Sequence, residues 1–251
     1  TLTTLFFGGG TPTHPASRDL ARLLGLVRER FSLSSDAEFS VEANPLDLSD
    51  DKLSILCDQG VNRISLGVQA FDDRVLKTLE RDHNAADLDA IVPRVRTRIP
   101  NLSIDLIFGV PGQTLADWQA SLEEAVDLGA THISTYGLTF ETGTAFETRR
   151  RRGELARVPE DLEREMYALA MDWLSGRGYE QYEISNFARP GYACRHNMVY
   201  WRGDEYLAYG PGAARYRQRR RETNIRSVLG WLARLERGLS PVAEVDELTD
   251  E

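Results

Sequence analysis

Polar residues stand at or near the carboxyl ends of four β-like runs in this sequence. They are Glu42, Gln69, Asp105 and Thr139. A carboxylate inside an apolar strand is costly unless it is hydrogen-bonded or paired. One such residue is most often a satisfied structural group. Four of them converging on one barrel mouth indicate a polar ligand site.

A glycine triplet follows the first apolar run. Leu5-Phe6-Phe7 leads into Gly8-Gly9-Gly10 and then Thr11-Pro12. Residues without Cβ let the backbone lie flat against a ligand, with its N–H and C=O groups free to bond it. The carboxyl end of a strand is also where α/β barrels place their sites. The alternative interpretation is a tight barrel turn without a ligand.

Arg81 is a candidate cation for this site, because its guanidinium could bind a ligand carboxylate. A surface ion pair with Glu80 or Asp82 is equally consistent with the local sequence.

A second group of candidate residues is His196 with Tyr200 and Trp201. Haem iron takes a neutral histidine nitrogen, and flat aromatic rings suit a porphyrin face. His196 is therefore a candidate haem-iron ligand. A packed aromatic corner with a hydrogen-bonded histidine is the alternative, and Cys194 and Met198 are further soft ligands.

Composition narrows the class of protein. The chain has 251 residues, 41% of them apolar and 27% charged, which is typical of one large soluble domain. Its net charge of −9 disfavours nucleic acid as a partner. No run approaches the ~20 apolar residues of a membrane span and no signal segment opens the chain, so we expect a cytoplasmic protein, with peripheral membrane contact left open.

Short β-rich runs alternate with segments of helical spacing, which predicts a parallel sheet covered by helices. With about 30 residues per unit and no GxGxxG turn, a barrel is favoured over a doubly wound sheet. Only five or six strands are visible, so we expect an α/β fold with an incomplete, three-quarter, open parallel β/α barrel. The predicted strands are Leu2–Phe7, Glu38–Glu42, Arg63–Val68, Ser103–Phe108, His132–Leu138 and Gln181–Ile184.

The sequence also predicts a division into three parts. Residues 1–178 form the barrel core, and 179–240 form a sheet extension and lid with a helix at Ile225–Arg237. Residues 241–251 begin a further domain, with a helix start at Glu247–Glu251. Both ends look cut, so we expect a fragment of a longer protein.

The motifs GGGTPT, VEANP, ISLGVQAF, SIDLIFGVPGQT and ISTYGLTFE, with the Arg81 segment, follow one another along the chain. Their order and spacing resemble those of oxygen-independent coproporphyrinogen III oxidase-like radical S-adenosylmethionine (SAM) proteins. The resemblance implies a barrel of the radical SAM type. It also implies that Gly9, Gly10 and Thr11 lie at the methionine part of SAM. The remaining SAM contacts that it implies are Glu42, Gln69, Arg81, Asp105 and Thr139.

The chain departs from that family at the iron–sulfur cluster. The family holds a [4Fe–4S] cluster on a CxxxCxxC loop before the GGGTP strand, whereas this chain has only Cys57 and Cys194. A cluster needs thiolate ligands, so we expect its ligands upstream of this sequence. A relative that naturally lacks the cluster is the alternative.

The string His196-Asn197-Met198-Val199-Tyr200-Trp201 resembles the HNxxYW motif of the HemW branch of the family, regarded as haem chaperones. The resemblance implies a haem-binding protein that delivers haem to an acceptor protein, which the sequence does not identify. The alternative is an oxidase that decarboxylates coproporphyrinogen III through a SAM-derived radical. A third possibility is a SAM-binding or structural barrel whose aromatic segment only packs.

Overall fold

The computed structural model describes residues 1–248 and divides the chain into two compact units, residues 1–193 and 194–251. In the first unit, strands and helices alternate as the sequence predicts. Its strands are β1 (Leu2–Phe7), β2 (Leu33–Ala43), β3 (Arg63–Gln69), β4 (Asn101–Phe108), β5 (His132–Gly137), β6 (Glu180–Gln181) and β7 (Asn186–Ala188). Its α-helices are α1 (Ser17–Arg30), α2 (Asp50–Asp58), α3 (Asp73–Thr78), α4 (Ala85–Arg98), α5 (Leu115–Asp127), α6 (Ala145–Arg151) and α7 (Glu160–Ser175).

The strands of the first unit form one sheet in the order β1-β2-β3-β4-β5-β7-β6. Neighbouring strands from β1 to β5 are parallel, and β7 and β6 add an antiparallel edge. Parallel strands need crossover connections, which the helices supply. The prediction of an open, incomplete parallel β/α barrel with a sheet extension is confirmed.

The predicted sixth strand, Gln181–Ile184, is wrong in its bounds. Gln181 pairs with Phe187, so the chain must reverse direction between them and residues 182–185 form the connection. The first unit consequently extends beyond residue 178, the predicted end of the core.

Each face of the sheet has its own chemistry, because side chains alternate along a strand. One face carries fully buried apolar residues such as Val41, Ile64 and Ile104, which pack with residues of the covering helices. The opposite face carries buried polar residues. These are Ser40, Arg63, Ser65, Ser103, His132 and Ser134. The core therefore lies between sheet and helices, and the concave face is polar.

Local sequence fixes the helix starts. Ser49 caps α2 by accepting a hydrogen bond from the Lys52 amide, and Thr114 forms a reciprocal capping box with Asp117 at α5. Asp47, which could also cap a helix, lies instead in a 3₁₀ turn at Pro45–Asp47. None of the described helices is both long and apolar enough to cross a membrane.

The second unit contains an antiparallel sheet in the order β10-β9-β8. Its elements are α8 (Arg195–Trp201), β8 (Ala214–Arg217), β9 (Arg220–Asn224), α9 (Val228–Glu236) and β10 (Val242–Glu247). Helix α9 confirms the helix predicted at Ile225–Arg237. The predicted helix start at Glu247 is wrong, because Glu247 ends β10 and pairs with Arg220; residues 249–251 of that prediction lie outside the described residues. The functional division into core, lid and further domain stays a prediction.

Candidate functional site at the strand ends

A cavity of about 180 Å³ lies at the carboxyl ends of the parallel strands. It brings together side chains and backbone from β2, β3, β4 and two loops, since parallel strands end at the same edge of a sheet. Six of the predicted site residues line it: Gly10, Thr11, Glu42, Gln69, Arg81 and Asp105.

Asp105 lines this cavity and is held by three serine hydroxyls, one from its own strand and one from each neighbouring strand. Its Oδ1 lies 2.7 Å from Ser134 Oγ and 3.1 Å from Ser103 Oγ. Ser65 Oγ lies 3.0 Å from Oδ1 and 2.9 Å from Oδ2. Burial raises the pKa of Asp105, and the serine hydrogen bonds and the charge of Arg63 oppose that rise. Burial thus has the largest effect on the pKa, while the three serines fix the orientation of the Asp105 side chain.

Glu42 at the end of β2 is joined to the glycine turn. Its Oε2 accepts a hydrogen bond of 3.0 Å from the Gly9 amide. Burial, with Asp105 nearby, raises the pKa of Glu42, while the Gly9 hydrogen bond lowers it. A Cβ at Gly8 would lie 2.7 Å from Glu42 Cδ and 2.5 Å from the Phe6 ring. Gly8 is therefore the glycine that lets Glu42 approach the turn.

The glycines after Gly8 have different neighbours. A Cβ at Gly9 or Gly10 would meet no atom within 4 Å. Gly9 has φ +83°, a left-handed conformation that favours glycine, whereas Gly10 has no such requirement. Space beside Gly9 and Gly10 is therefore available to a ligand.

Gln69 and Glu80 both adopt left-handed backbone conformations, with φ of 71° and 55°. Gln69 ends β3 at an irregularity in the pairing with β4. Glu80 immediately precedes Arg81 and pairs with Arg149 at 2.5 Å. Strained non-glycine residues of this kind cluster at functional sites. Burial lowers the pKa of Arg81, although it stays a cation.

His83 ties the Arg81 loop to the end of β3. Its Nε2 lies 2.9 Å from the Val68 carbonyl, one residue before Gln69. Two predicted site residues from different elements, Gln69 and Arg81, are thereby held next to each other.

Thr139 is not among the residues that line the cavity within residues 1–248. It is exposed, two residues after β5 ends. Its predicted contact with SAM stays a prediction.

Sequence reasoning missed the serines that hold Asp105. The signal was present, because Ser103 lies two residues before Asp105 and side chains two apart share a strand face. Ser65 and Ser134 reach Asp105 only through strand pairing, which the order of residues along the chain does not reveal.

The residues of the cavity fit SAM, whereas the chain lacks the ligands for a [4Fe–4S] cluster. Carboxylates accept from an ammonium or ribose hydroxyls, and arginine, glutamine and backbone amides bind a carboxylate, so the cavity suits SAM. A [4Fe–4S] cluster needs more thiolates than the two this sequence contains. Cys194 is buried, Cys57 half-buried, and no group of three or more metal-ligating side chains occurs among the described residues.

The predicted haem residues lie on the short helix α8. His196 and Tyr200, one helical turn apart, meet with Nε2 2.9 Å from the Tyr200 hydroxyl and rings edge-to-face at 5.3 Å. Tyr206, which sequence reasoning missed, stands edge-to-face to Tyr200 at 4.7 Å. Trp201 is 51% exposed and, five residues after His196, projects ~140° away around the helix.

Cys194 is less suited than His196 to bind iron. It is buried and caps α8, its Sγ accepting a hydrogen bond of 3.4 Å from the Asn197 amide. Met198 is half-buried on the same helix. His196 is half-buried as well, but it lies beside the exposed ring of Tyr200, which offers a surface for a porphyrin.

The family model and the relatives that match this sequence agree with one another. A sequence model of the radical SAM superfamily matches residues 2–125. Heme chaperone HemW of Bacillus subtilis is 40% identical over 252 residues, which cover 100% of this chain and 66% of that protein. The mitochondrial radical S-adenosyl methionine domain-containing protein 1 of Danio rerio is 38% identical over 213 residues, covering 84% of this chain and 48% of that protein.

A solved structure gives the same fold. The radical SAM enzyme coproporphyrinogen III oxidase (HemN) of Escherichia coli superposes with a TM-score of 0.85 at 23% identity, covering 99% of this chain and 60% of that chain. The chain spans less than two thirds of HemN and of the HemW of Lactococcus lactis, of which it covers 57%. The match to the family model and the identity to HemW over the full chain show that the chain belongs to the radical SAM superfamily.

Proposed function

We propose that this protein is a haem chaperone that binds SAM in the strand-end cavity and haem at α8. The observation that carries the proposal is the His196–Tyr200 pair, on a chain that is 40% identical along its full length to heme chaperone HemW.

The chemistry of α8 supports reversible haem binding. Haem iron needs an unprotonated imidazole nitrogen, and His196 Nε2 is such an acceptor when the Tyr200 hydroxyl donates to it. Binding to iron then exchanges one partner of Nε2 for another. The exposed rings of Tyr200 and Trp201 offer flat apolar surface for a porphyrin. A ligand that competes with an internal hydrogen bond is released more readily, which suits a protein that passes haem on.

SAM would be held by Glu42, Asp105, Gln69 and Arg81, with Gly9, Gly10 and Thr11 at its methionine part. When SAM and a reduced [4Fe–4S] cluster are bound together, radical SAM proteins gain the chemistry of a carbon radical. This chain lacks the thiolates for such a cluster, so the role proposed for its own residues is to bind and orient SAM. The acceptor protein and a cytoplasmic location stay predictions.

Haem titration of the purified protein tests the proposal. Wild type should give a Soret band that His196→Ala removes or shifts. The matched control is His14→Ala, because His14 is a highly exposed histidine far from α8 in the sequence. A haem spectrum identical in wild type and His196→Ala would refute His196 as the ligand. Failure of wild type to bind haem would refute the chaperone assignment and favour a barrel that only binds SAM.

A second candidate is an oxidase that decarboxylates coproporphyrinogen III, because HemN, which shares the fold, is a coproporphyrinogen III oxidase. At 23% identity that likeness supports the fold alone. Conversion of coproporphyrinogen III by the full-length, cluster-reconstituted protein would select the oxidase. Absence of conversion together with haem binding would select the chaperone.

A further inference from the structure

We propose that His132 is a positioning residue for Asp105, acting through Ser103, in a buried relay that starts at Tyr182. The proposal deepens the proposed SAM site and rests on it: Asp105 binds the ligand, and the relay fixes the orientation of Asp105.

The relay is continuous in the structure. Tyr182 Oη lies 2.8 Å from His132 Nε2, and the two rings pack with centroids 5.6 Å apart. His132 Nδ1 lies 2.7 Å from Ser103 Oγ, which is 3.1 Å from Asp105 Oδ1. His132 and Ser103 are 1% and 0% exposed, so water does not substitute for these contacts.

Strand register explains why these groups meet. Ser103 on β4 stands directly beside His132 on β5, and Asp105 stands beside Ser134. On the other side of β4, Ser103 stands beside Ser65. Each contact therefore joins neighbouring positions on one face of the sheet, which holds them rigidly.

With Asp105 ionised, as the proposed SAM site requires, counting protons selects the direction of the relay. Ser103 has one hydroxyl proton and two close acceptors, Asp105 Oδ1 and, in one tautomer, His132 Nδ1. If Ser103 donated to His132, its oxygen would face the Asp105 carboxylate without a proton between them. If His132 Nδ1–H donates to Ser103, then Ser103 donates to Asp105 and every pair has one proton. Tyr182 then donates to His132 Nε2, so the second arrangement satisfies all three contacts.

The charges around the relay agree with this arrangement. Burial and the positive charge of Arg63 hold the pKa of His132 well below its usual range, so the ring is neutral and one nitrogen accepts. The other charged or titratable groups that act on Asp105 are Glu42 on β2 and Tyr136 on β5. Burial raises the pKa of Tyr136 to about 12, so it is neutral.

The relay leaves one oxygen of Asp105 for a ligand. Oδ1 lies within hydrogen-bond distance of three hydroxyls, whereas among the described residues Oδ2 has only the shared contact with Ser65. With Oδ1 saturated, Oδ2 is the oxygen that would accept from the ammonium or a ribose hydroxyl of SAM. We expect Ser103 and His132 to act by keeping Asp105 ionised and in this rotamer.

The tautomer of His132 is testable without any ligand. Nitrogen-15 NMR of the labelled protein should show His132 with a protonated Nδ1 and an unprotonated Nε2, and His132→Asn should remove only that pair of signals. A protonated Nε2 with an unprotonated Nδ1 would overturn the relay. This readout does not depend on SAM binding, so it judges the relay even if the proposed site fails.

Calorimetric titration with SAM tests the effect on Asp105. Ser103→Ala should weaken binding about three- to tenfold, the loss of one hydrogen bond, and should raise the pH below which binding is lost. His132→Phe should act in the same direction, whereas His132→Asn, whose side-chain amide retains a donor near Ser103, should stay close to wild type. The matched serine control is Ser175→Ala, exposed at the end of α7.

Each outcome of the titration is informative. Tighter binding in His132→Phe would mean that Ser103 normally donates to His132 instead, which overturns the relay. Unchanged binding in both variants, with binding lost in Asp105→Asn, would also overturn it. Binding retained in Asp105→Asn would refute the proposed site instead of the relay.

Discussion

The strand-end cavity and helix α8 contrast two ways of preparing a binding site. In the cavity, Asp105 accepts hydrogen bonds from three strands, and Glu42 is joined to the glycine turn. On α8, His196 and Tyr200 bond each other, and half of the Tyr200 side chain is exposed. The polar groups of the cavity are oriented for a ligand, whereas on α8 the hydroxyl of Tyr200 competes with a ligand for His196.

The two arrangements should respond differently when one of their hydrogen bonds is removed. Buried polar groups with complete hydrogen bonds are rigid, and removing one partner leaves the others unsatisfied. An exposed pair on a seven-residue helix loses little when it separates. We therefore expect substitutions in the cavity to cause large losses of SAM affinity, and substitutions of the α8 residues around His196 to change haem affinity modestly in either direction.

The largest expected effect is that of Asp105→Asn on SAM binding. The variant keeps the size of the side chain but removes its charge and turns one oxygen into an N–H₂ group that faces serine donors. A hydrogen bond to a charged group contributes about 1.5–3 kcal/mol, so affinity should fall about 10- to 100-fold in a calorimetric titration. Asp246→Asn, exposed on β10, is the control. Equal affinity of the two variants would contradict the rigid-cavity interpretation.

Glycine substitutions separate support of the site from contact with the ligand. Gly8→Ala places a Cβ 2.7 Å from Glu42 Cδ, so it should lower the free energy of unfolding by about 1–3 kcal/mol through overpacking. Gly10→Ala meets no protein atom within 4 Å and should leave thermal unfolding unchanged while weakening SAM binding. Equal unfolding temperatures for both variants would show that Glu42 moves freely.

On α8 the expected effects are smaller and differ in sign. Tyr200→Phe removes the hydroxyl that competes for His196 Nε2, so haem affinity should rise a few-fold, about the contribution of one hydrogen bond. Trp201→Ala should weaken binding, because it removes exposed apolar surface, without changing the Soret position, because Trp201 is not an iron ligand. Spectroscopic titration of both variants measures this. A loss of the Soret band in Tyr200→Phe would show that Tyr200 holds the haem.

How much of each region the sequence predicts depends on how far apart along the chain its contacting residues lie. His196 and Tyr200 are four residues apart, so helical spacing alone predicts that they meet. Strands β1 and β3–β5 follow from near-continuous apolar runs. The reversal after Gln181 was missed because strand direction there depends on pairing with Phe187.

For the strand-end cavity, the sequence predicts residues that line it but not the residues that hold them in place. Glu42 and Asp105 were identifiable as carboxylates in or after apolar strands. The relay was not, because Asp105 and His132 meet only through the register of β4 and β5, and Tyr182 lies 50 residues beyond His132. Gly8 was likewise indistinguishable from Gly9 and Gly10 until the position of Glu42 was known.

The smallest expected effect concerns Glu42 and stability. Because burial raises the pKa of Glu42 in the folded state, folding favours its protonated form, and ionisation at neutral pH opposes folding. Stability from this group is therefore greatest below its unfolded pKa and falls as pH rises through the folded pKa. Glu42→Gln should raise the melting temperature slightly at pH 7 while weakening SAM binding, since the amide oxygen still accepts from Gly9.

Melting curves of wild type and Glu42→Gln across pH 4 to 8 measure this effect. The gap in melting temperature should close as pH falls, because wild-type Glu42 then becomes neutral as well. A gap that stayed constant over the whole range would mean that charge is not its cause. Glu38→Gln is the matched comparison, since Glu38 is buried on the same strand, four residues before Glu42. The charge of Glu42, which prepares the cavity for its ligand, should thus make the wild-type protein less stable than Glu42→Gln. The exposed pair of His196 and Tyr200 on α8 brings no such loss of stability.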